Sequence, residues 1–212
     1  MTRLWPVELR RGPLVLRPLN VRDKREWEQV RSRNSTWLRP WDATLPPGAN
    51  DAPTTFRGMV RALNAAARAG STLPFAMVID GRFRGQVTVG GVHLGSLRGG
   101  HIGYWIDQQA AGRGFMPLAV AMATDHCFAA GLHRIEINIR PDNAPSIRVV
   151  EKLGFRYEGL RERYLHINGD WRDHLSYALT TEEVDVPLAD AFLASLARNT
   201  PQQIPGEAPE RP

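Results

Sequence analysis

Gln109-Ala110-Ala111-Gly112-Arg113-Gly114 separates a run that reads as a strand, residues 101–107, from residues 115–130, which are apolar nearly all round. Two glycines spaced this way let the backbone turn tightly between strand and helix, through conformations other residues avoid. The freed N–H groups and the positive end of the following helix suit such a loop to an anionic phosphate. It is not a dinucleotide fingerprint, since Pro117 stands where the third glycine belongs, and it lacks the Gly-Lys-Ser/Thr of a P-loop. The plainer alternative is a strand-to-helix turn whose glycines serve packing.

Working outward, residues 86–92 and 75–79 read as strands meeting at Asp80-Gly81, a two-residue hairpin signal. Earlier still, 14–19 is a first strand, Asp23 caps a helix carrying Trp27 and Val30, and Thr54 or Thr55 starts a second helix that stops at Gly70. Between those helices 35–53 reads as irregular, with Trp37 and Trp41 inside Trp37-Leu38-Arg39-Pro40-Trp41. Downstream the apolar helix ends at Gly131, and Ile135, Ile137 and Ile139 alternate with Glu136, Asn138 and Arg140 as a strand with one apolar face. A short helix follows, with Pro145 near its start, a stripe of Ile147, Val150 and Leu153, and Gly154 as its stop. Strands over 157–167 and 171–179 join at Asn168-Gly169. The order predicts a mixed α/β unit over 1–186. Residues 187–212 are expected to form a short helix, around 189–198, and a disordered tail rich in Pro, Gln and Glu.

The formal charge is +5 with a pI near 10.0, which points toward nucleic acid. All of that excess lies in residues 1–34, where nine basic face four acidic side chains; the remaining chain carries eighteen of each. The charge is therefore a guide to a docking partner more than to an activity. The single cysteine, Cys127, cannot form an intramolecular disulfide and fits a reducing compartment. The histidines show no metal-ligand spacing, so no metal is expected. The most apolar stretch, 115–123, is about half the length of a membrane-spanning helix. These features predict a soluble, cytoplasmic protein.

Gln109-x-x-Gly112-x-Gly114, between a strand and a helix, resembles the acyl-coenzyme A signature of the GNAT acetyltransferases. Asn143-Ala144-Pro145-Ser146, opening a helix that closes on Leu153-Gly154-Phe155, is similar to that family's next motif, in the same order and separation. As local chemistry alone, Asn143 would be a helix cap and Ser146 a first-turn residue. Glu158-Gly159, Tyr164-Leu165 and Asn168-Gly169-Asp170-Trp171-Arg172-Asp173-His174 resemble the end of the RimJ/RimL-type protein N-terminal acetyltransferases, closest to the RimJ branch. Trp37-Leu38-Arg39-Pro40-Trp41 and Gly103-Tyr104-Trp105 fit the same subgroup.

The resemblance implies an α/β acyl-CoA N-acyltransferase fold, its mixed sheet splayed between the fourth and fifth predicted strands and flanked by helices. It implies acetyl-CoA as co-substrate, with backbone groups of Tyr104, Trp105 and Ile106 facing the pantetheine arm. The amides of Gln109, Gly112, Arg113, Gly114 and Phe115 would hold the pyrophosphate, aided by the Arg113 side chain, and Asn143 and Ser146 would lie beside them. The activity implied is transfer of acetyl to the N-terminal α-amine of a protein, a ribosomal one by analogy with the subgroup, by a monomer or homodimer. A small amine acceptor, or a non-catalytic ribosome- or RNA-binding module on the same fold, is the alternative. Many relatives protonate the leaving thiolate with a tyrosine where this chain has Val150; the resemblance to the RimL-type enzymes implies Ser146, on the first turn beside the expected sulfur, as the donor instead. Two positions where Rim-type relatives carry a glutamate are Asn138 and Leu165 here. Alternation on the penultimate strand offers Glu162, Tyr164 and His166 on one face in their place, of which Glu162 and Tyr164 are the expected catalytic groups. Asp173-His174 has the look of a catalytic pair, but its place in a final strand favours a structural role, and Trp37 and Trp41 read as a substrate-facing wall or core plugs.

Overall fold

The computed structural model describes residues 3–49 and 55–199. Eight strands form one sheet in the order β1-β2-β3-β4-β5-β6-β8-β7. They are β1 (Leu9–Arg11), β2 (Leu14–Pro18), β3 (Leu73–Ile79), β4 (Arg82–His93), β5 (Gly99–Ile106), β6 (Arg134–Ile139), β7 (Arg156–Ile167) and β8 (Asp170–Thr180). Every neighbouring pair is antiparallel except β5 and β6. A parallel pair needs a crossover, and α4 (Phe115–Ala129) supplies it.

Helix α4 is buried almost throughout, from Met116 to Cys127, which its all-round apolar sequence requires. It anchors the larger core with α5 (Ala144–Lys152), α6 (Leu188–Asn199) and inward side chains of the sheet such as Phe75, Val87 and Ile135. On the opposite face α1 (Lys24–Arg33) and α3 (Phe56–Arg68) enclose a smaller core of Leu19, Val30, Phe56, Val60, Ala76 and Phe83. Both expected hairpins are present: Asp80 and Gly81 take φ values of 50° and 73°, Asn168 and Gly169 values of 48° and 85°. Paired left-handed residues match the twist of the flanking strands.

Three local expectations change. A three-residue strand, β1, precedes the predicted first strand and pairs with it. The segment read as irregular contains α2 (Ser35–Leu38) and a 3₁₀ turn at Arg39–Trp41. Asp23 precedes α1 but does not cap it through its side chain; its carboxylate accepts from the Asn20 N–H at 2.8 Å and from the Arg17 guanidinium at 2.6 and 2.9 Å. Thr55 is the cap of α3, its Oγ1 accepting from Gly58 N–H at 3.1 Å. The alternative start at Thr54 and the predicted C-terminal tail lie outside the described residues. Among the described residues no helix is long and apolar enough to cross a membrane.

Candidate active site

Strands β5 and β6 are paired at only three positions, Gly99 with Arg134, Gly100 with Ile135 and His101 with Glu136. Beyond them β5 runs on to Ile106 with β4 as its neighbour, and β6 to Ile139 with β8. Each diverging strand turns one edge of backbone N–H and C=O groups into the gap. Such groups demand a partner, and an extended ligand can supply it as an added strand would. The gap opens into a cleft of about 810 Å³, with Tyr104, Trp105 and Ile106 on one wall and Ile137, Asn138, Ile139 and Arg140 on the other. The expected splay between the 101–107 and 135–140 strands is therefore present.

At the α4 side of the cleft, Gly112 and Gly114 adopt φ values of 75° and 81°, and Gly114 is the N-cap residue of α4. A Cβ at Gly112 would meet nothing within 4 Å, so the glycine there answers to backbone conformation and not to crowding. The loop is fixed from below by Asp107. This fully buried carboxylate accepts from Arg84 at 2.6 Å, Asn34 at 2.9 Å, the Gln109 N–H at 3.3 Å and the Arg33 guanidinium. Burial pushes the carboxyl up, but these donors outweigh it and hold the group well below the usual carboxylate range. Sequence reasoning missed Asp107; its signal was an acid placed immediately before a phosphate-type loop. Gln109 and Arg113 line an adjoining hollow of about 280 Å³ together with Arg82 and Arg84, and Arg113 lies over the Phe115 ring at 5.1 Å. Of the predicted loop residues, Gly112 and Gly114 line the main cleft.

The start of α5 completes this side. Asn143 Oδ1 accepts from the Ser146 N–H at 3.2 Å, the helix cap its sequence suggested, and both residues line the cleft. The Tyr104 phenol donates to the Ser146 carbonyl at 3.4 Å, tying the β5 wall to α5, and burial holds that phenol protonated far above its usual range. Ser146 Oγ has no hydrogen-bond partner among the described residues. Val150, where relatives were expected to carry a tyrosine, is fully buried.

On the opposite face of the sheet the cleft is walled by Trp37, Leu38, Trp41 and Asp42, and by Leu165, Ile167 and His174. Arg140 stacks over Trp41 at 5.1 Å and donates to the Pro40 carbonyl at 2.8 Å, pinning the tryptophan segment to the end of β6. Asp42 pairs with Arg31 at 2.6 Å, and Arg31 lies over the rings of Trp27 and Trp105. Asn138 Oδ1 accepts from Ser176 Oγ at 2.6 Å.

The expectation that Glu162, Tyr164 and His166 share one face is not met. Between Arg161, paired with His174, and Leu165, paired with Arg172, β7 carries two extra residues, and Arg163 takes φ 47° with its N–H donating to Asp173 at 2.7 Å. The bulge breaks the alternation. Tyr164 stays with Arg161, whose guanidinium donates to its hydroxyl at 3.0 Å, and with His174, 5.8 Å between ring centroids. His166 instead pairs with Trp171 and contacts Thr44 at 2.8 Å. None of Glu162, Tyr164 and His166 is among the residues lining the cleft. Asp173 and His174 likewise separate: Asp173 serves the bulge, and His174 faces the cleft.

A family model described as an acetyltransferase (GNAT) domain matches residues 13–156. Among solved structures, Mycobacterium smegmatis RimJ in complex with CoA-disulfide is similar with a TM-score of 0.84 and 40% identity, over 92% of this chain and 97% of that one. The [ribosomal protein uS5]-alanine N-acetyltransferase of Escherichia coli (strain K12) is 30% identical over 185 residues, which is 84% of this chain and 92% of that enzyme. The probable N-acetyltransferase YjcK of Bacillus subtilis (strain 168) is 40% identical over 101 residues, 47% of this chain and 56% of the length of YjcK.

Proposed function

The chain belongs to the GNAT acetyltransferase family, and from that premise we propose that it transfers acetyl from acetyl-CoA to the N-terminal α-amine of a ribosomal protein. The observation that carries the reading is the β5–β6 gap beside the glycine loop, in a chain 40% identical to a RimJ whose solved structure is a complex with CoA-disulfide.

Backbone groups of Tyr104, Trp105 and Ile106 face the pantetheine arm, and an N–H among them polarises the thioester carbonyl. The amides of Gln109, Gly112, Arg113, Gly114 and Phe115 hold the pyrophosphate. Arg113, with Arg82 and Arg84 around the same hollow, adds positive charge where phosphates lie. Asn143 fixes the first turn of α5 so that Ser146 Oγ, left without a protein partner, donates a proton to the departing sulfur. Trp37 and Trp41 flank the entering acceptor. An α-amine has an ordinary pKa of about 7.7–8.0 against about 10.4 for a lysine side chain, so a cleft whose lining carboxylate, Asp42, is engaged by Arg31 suits the α-amine.

Wild-type protein, acetyl-CoA and peptides copying ribosomal-protein N-termini are expected to release free thiol. Mass spectrometry of protein N-termini in cells with and without the chain is expected to differ at a ribosomal protein. Thiol release only with polyamines or aminoglycosides overturns the acceptor class, and no release with any amine overturns the enzyme reading.

A further inference from the structure

Resting on the acetyl-transfer reading, we propose that His174 Nε2 is the group that accepts the proton of the attacking amine. The position is set by pairing. On β8, Leu175 lies opposite Ile139 and Ser176 opposite Asn138, so His174 falls level with Arg140, where β6 leaves the ladder. That end is the part of β6 already separated from β5. The ring therefore borders the mouth of the gap on the face that carries Trp37, Trp41 and Asp42, opposite the face of α4 and α5.

Its chemistry is set by a second contact. His174 Nδ1 lies 2.9 Å from the Arg172 carbonyl oxygen, which can only accept. The proton of the neutral ring is thereby on Nδ1, and Nε2 presents a lone pair. Nε2 has no partner among the described residues. The residue is only 3% exposed, with the Tyr164 ring edge-on to the imidazole at 5.8 Å between centroids.

The charged and titratable groups around it are Arg172 and Asp173 on β8, Arg161 and the Tyr164 phenol on β7, Arg140 and Asp142 after β6, and Asp42 on the tryptophan segment. Burial pushes the imidazole down and Arg140 adds to it, against the Arg172 carbonyl and Asp173 and Asp142. The ring is consequently neutral at neutral pH. Neither Glu162 nor Tyr164 meets both requirements: each lies outside the cleft lining, and the Tyr164 hydroxyl is engaged by Arg161.

In the step, the amine lone pair forms a C–N bond to the thioester carbon, and the carbonyl electron pair moves to oxygen. The nitrogen, now far more acidic, gives its proton to His174 Nε2, directly or through one water. Collapse re-forms the carbonyl and breaks the C–S bond, and the sulfur takes the Ser146 proton. Ser146 regains one from solvent as His174 releases one, so the net change is amine plus acetyl thioester to amide plus thiol.

The test compares wild type with His174→Asn, which keeps an N–H where Nδ1 donates to Arg172 and removes Nε2. With an N-terminal peptide saturating, kcat at pH 7 is expected to fall about 10²-fold or more, while CoA affinity by titration stays within twofold. The wild-type acid limb of kcat, lying below 6.5, is expected to vanish, leaving a variant rate that climbs through alkaline pH. A variant with the wild-type kcat and pH profile overturns the assignment while acetyl transfer stands. A wild type that releases no thiol with any N-terminal peptide overturns both. Should the variant fail to fold, the wild type alone decides: the His174 ring titration followed by ¹⁵N NMR must coincide with the acid limb of kcat, and a separation of the two overturns the proposal.

Discussion

Single atoms carry most of the site's chemistry, and they divide into groups that fix geometry and groups that move protons. Gly112 and Gly114 belong to the first kind. At φ values of 75° and 81°, an L side chain costs about 1 kcal/mol or more. At Gly112 there is room for a Cβ, so the penalty is purely conformational. Gly112→Val is expected to weaken CoA binding at least tenfold by isothermal titration, and Gly112→Asn less, because asparagine tolerates the left-handed region; equal losses would point to crowding by the ligand instead. Ser146 belongs to the second kind. Its N–H and C=O secure α5 through Asn143 and Tyr104, so Ser146→Ala leaves that frame intact and removes only Oγ. Turnover is expected to drop about 10²-fold at pH 7 with an unchanged CoA dissociation constant. An unchanged kcat would show that the thiolate departs without this proton.

Elements make those atoms converge, and the junction between β5 and α4 is where the convergence is most exposed to damage. Asp107 directly follows β5, accepts from Gln109 at the start of the loop, and ties the loop to Arg33 and Asn34 at the end of α1 and to Arg84 from β4. Replacing it leaves two guanidiniums without their buried counter-charge, a loss of about 2–4 kcal/mol given that Arg33 is partly exposed. Asp107→Ala is expected to lower the melting temperature by roughly 5–12 °C and to weaken CoA binding through the loop. Full CoA affinity in a destabilised protein would show that the loop holds its shape unaided. The loop, both tight hairpins and the capped start of α5 were legible in the sequence because each is specified by residues within a few positions of one another. Strand β1 was not: three residues, two of them arginines, acquire strand geometry only from β2. The β7 bulge was not, since the Asp173 that stabilises it lies across the hairpin, ten residues from Arg163. Nor was the cleft position of His174, which follows from the register of three strands together; adjacency to Asp173 in sequence suggested a pair, and strand alternation separates them.

For the whole molecule, most of the basic excess is answered by carboxylates of the same fold, which changes what the basic composition means. Arg10, Arg11, Arg17, Lys24, Arg31 and Arg33, six of the nine cations in residues 1–34, are ion-paired within the fold. The acid side of stability follows from such pairs. Glu158 is held at about 2 by Arg134 and Arg156, and Asp107 lies below the usual carboxylate range, so the stability they contribute is present above 4.5 and is lost as pH falls toward 2. His101 and His174 are pushed down by burial, so the unfolded chain takes up their protons first and stability also declines below 6.5. Asp125, pushed up by burial, opposes this trend only in acid. The alkaline side rests on neutral groups. Burial pushes the Cys127 thiol from its ordinary 9.0 up to about 12, so between those values the unfolded chain ionises and the folded chain does not. Tyr104 and Tyr177, also pushed up by burial, act the same way from 10 upward. The melting temperature is therefore expected to be flat between about pH 7 and 9, to decline gently below 6.5, and to fall steeply below 4.5. On the alkaline limb the thiol alone accounts for about 2 kcal/mol by about pH 10.5, or roughly 4–8 °C. Calorimetry across this range at constant ionic strength, repeated on Cys127→Ala, checks the assignment. The variant is expected to melt lower at pH 7 from its small cavity, yet to hold its plateau one unit further, until the tyrosines begin to ionise near 10. A variant limb that still begins at 9 would mean that a group other than the buried thiol sets the alkaline edge.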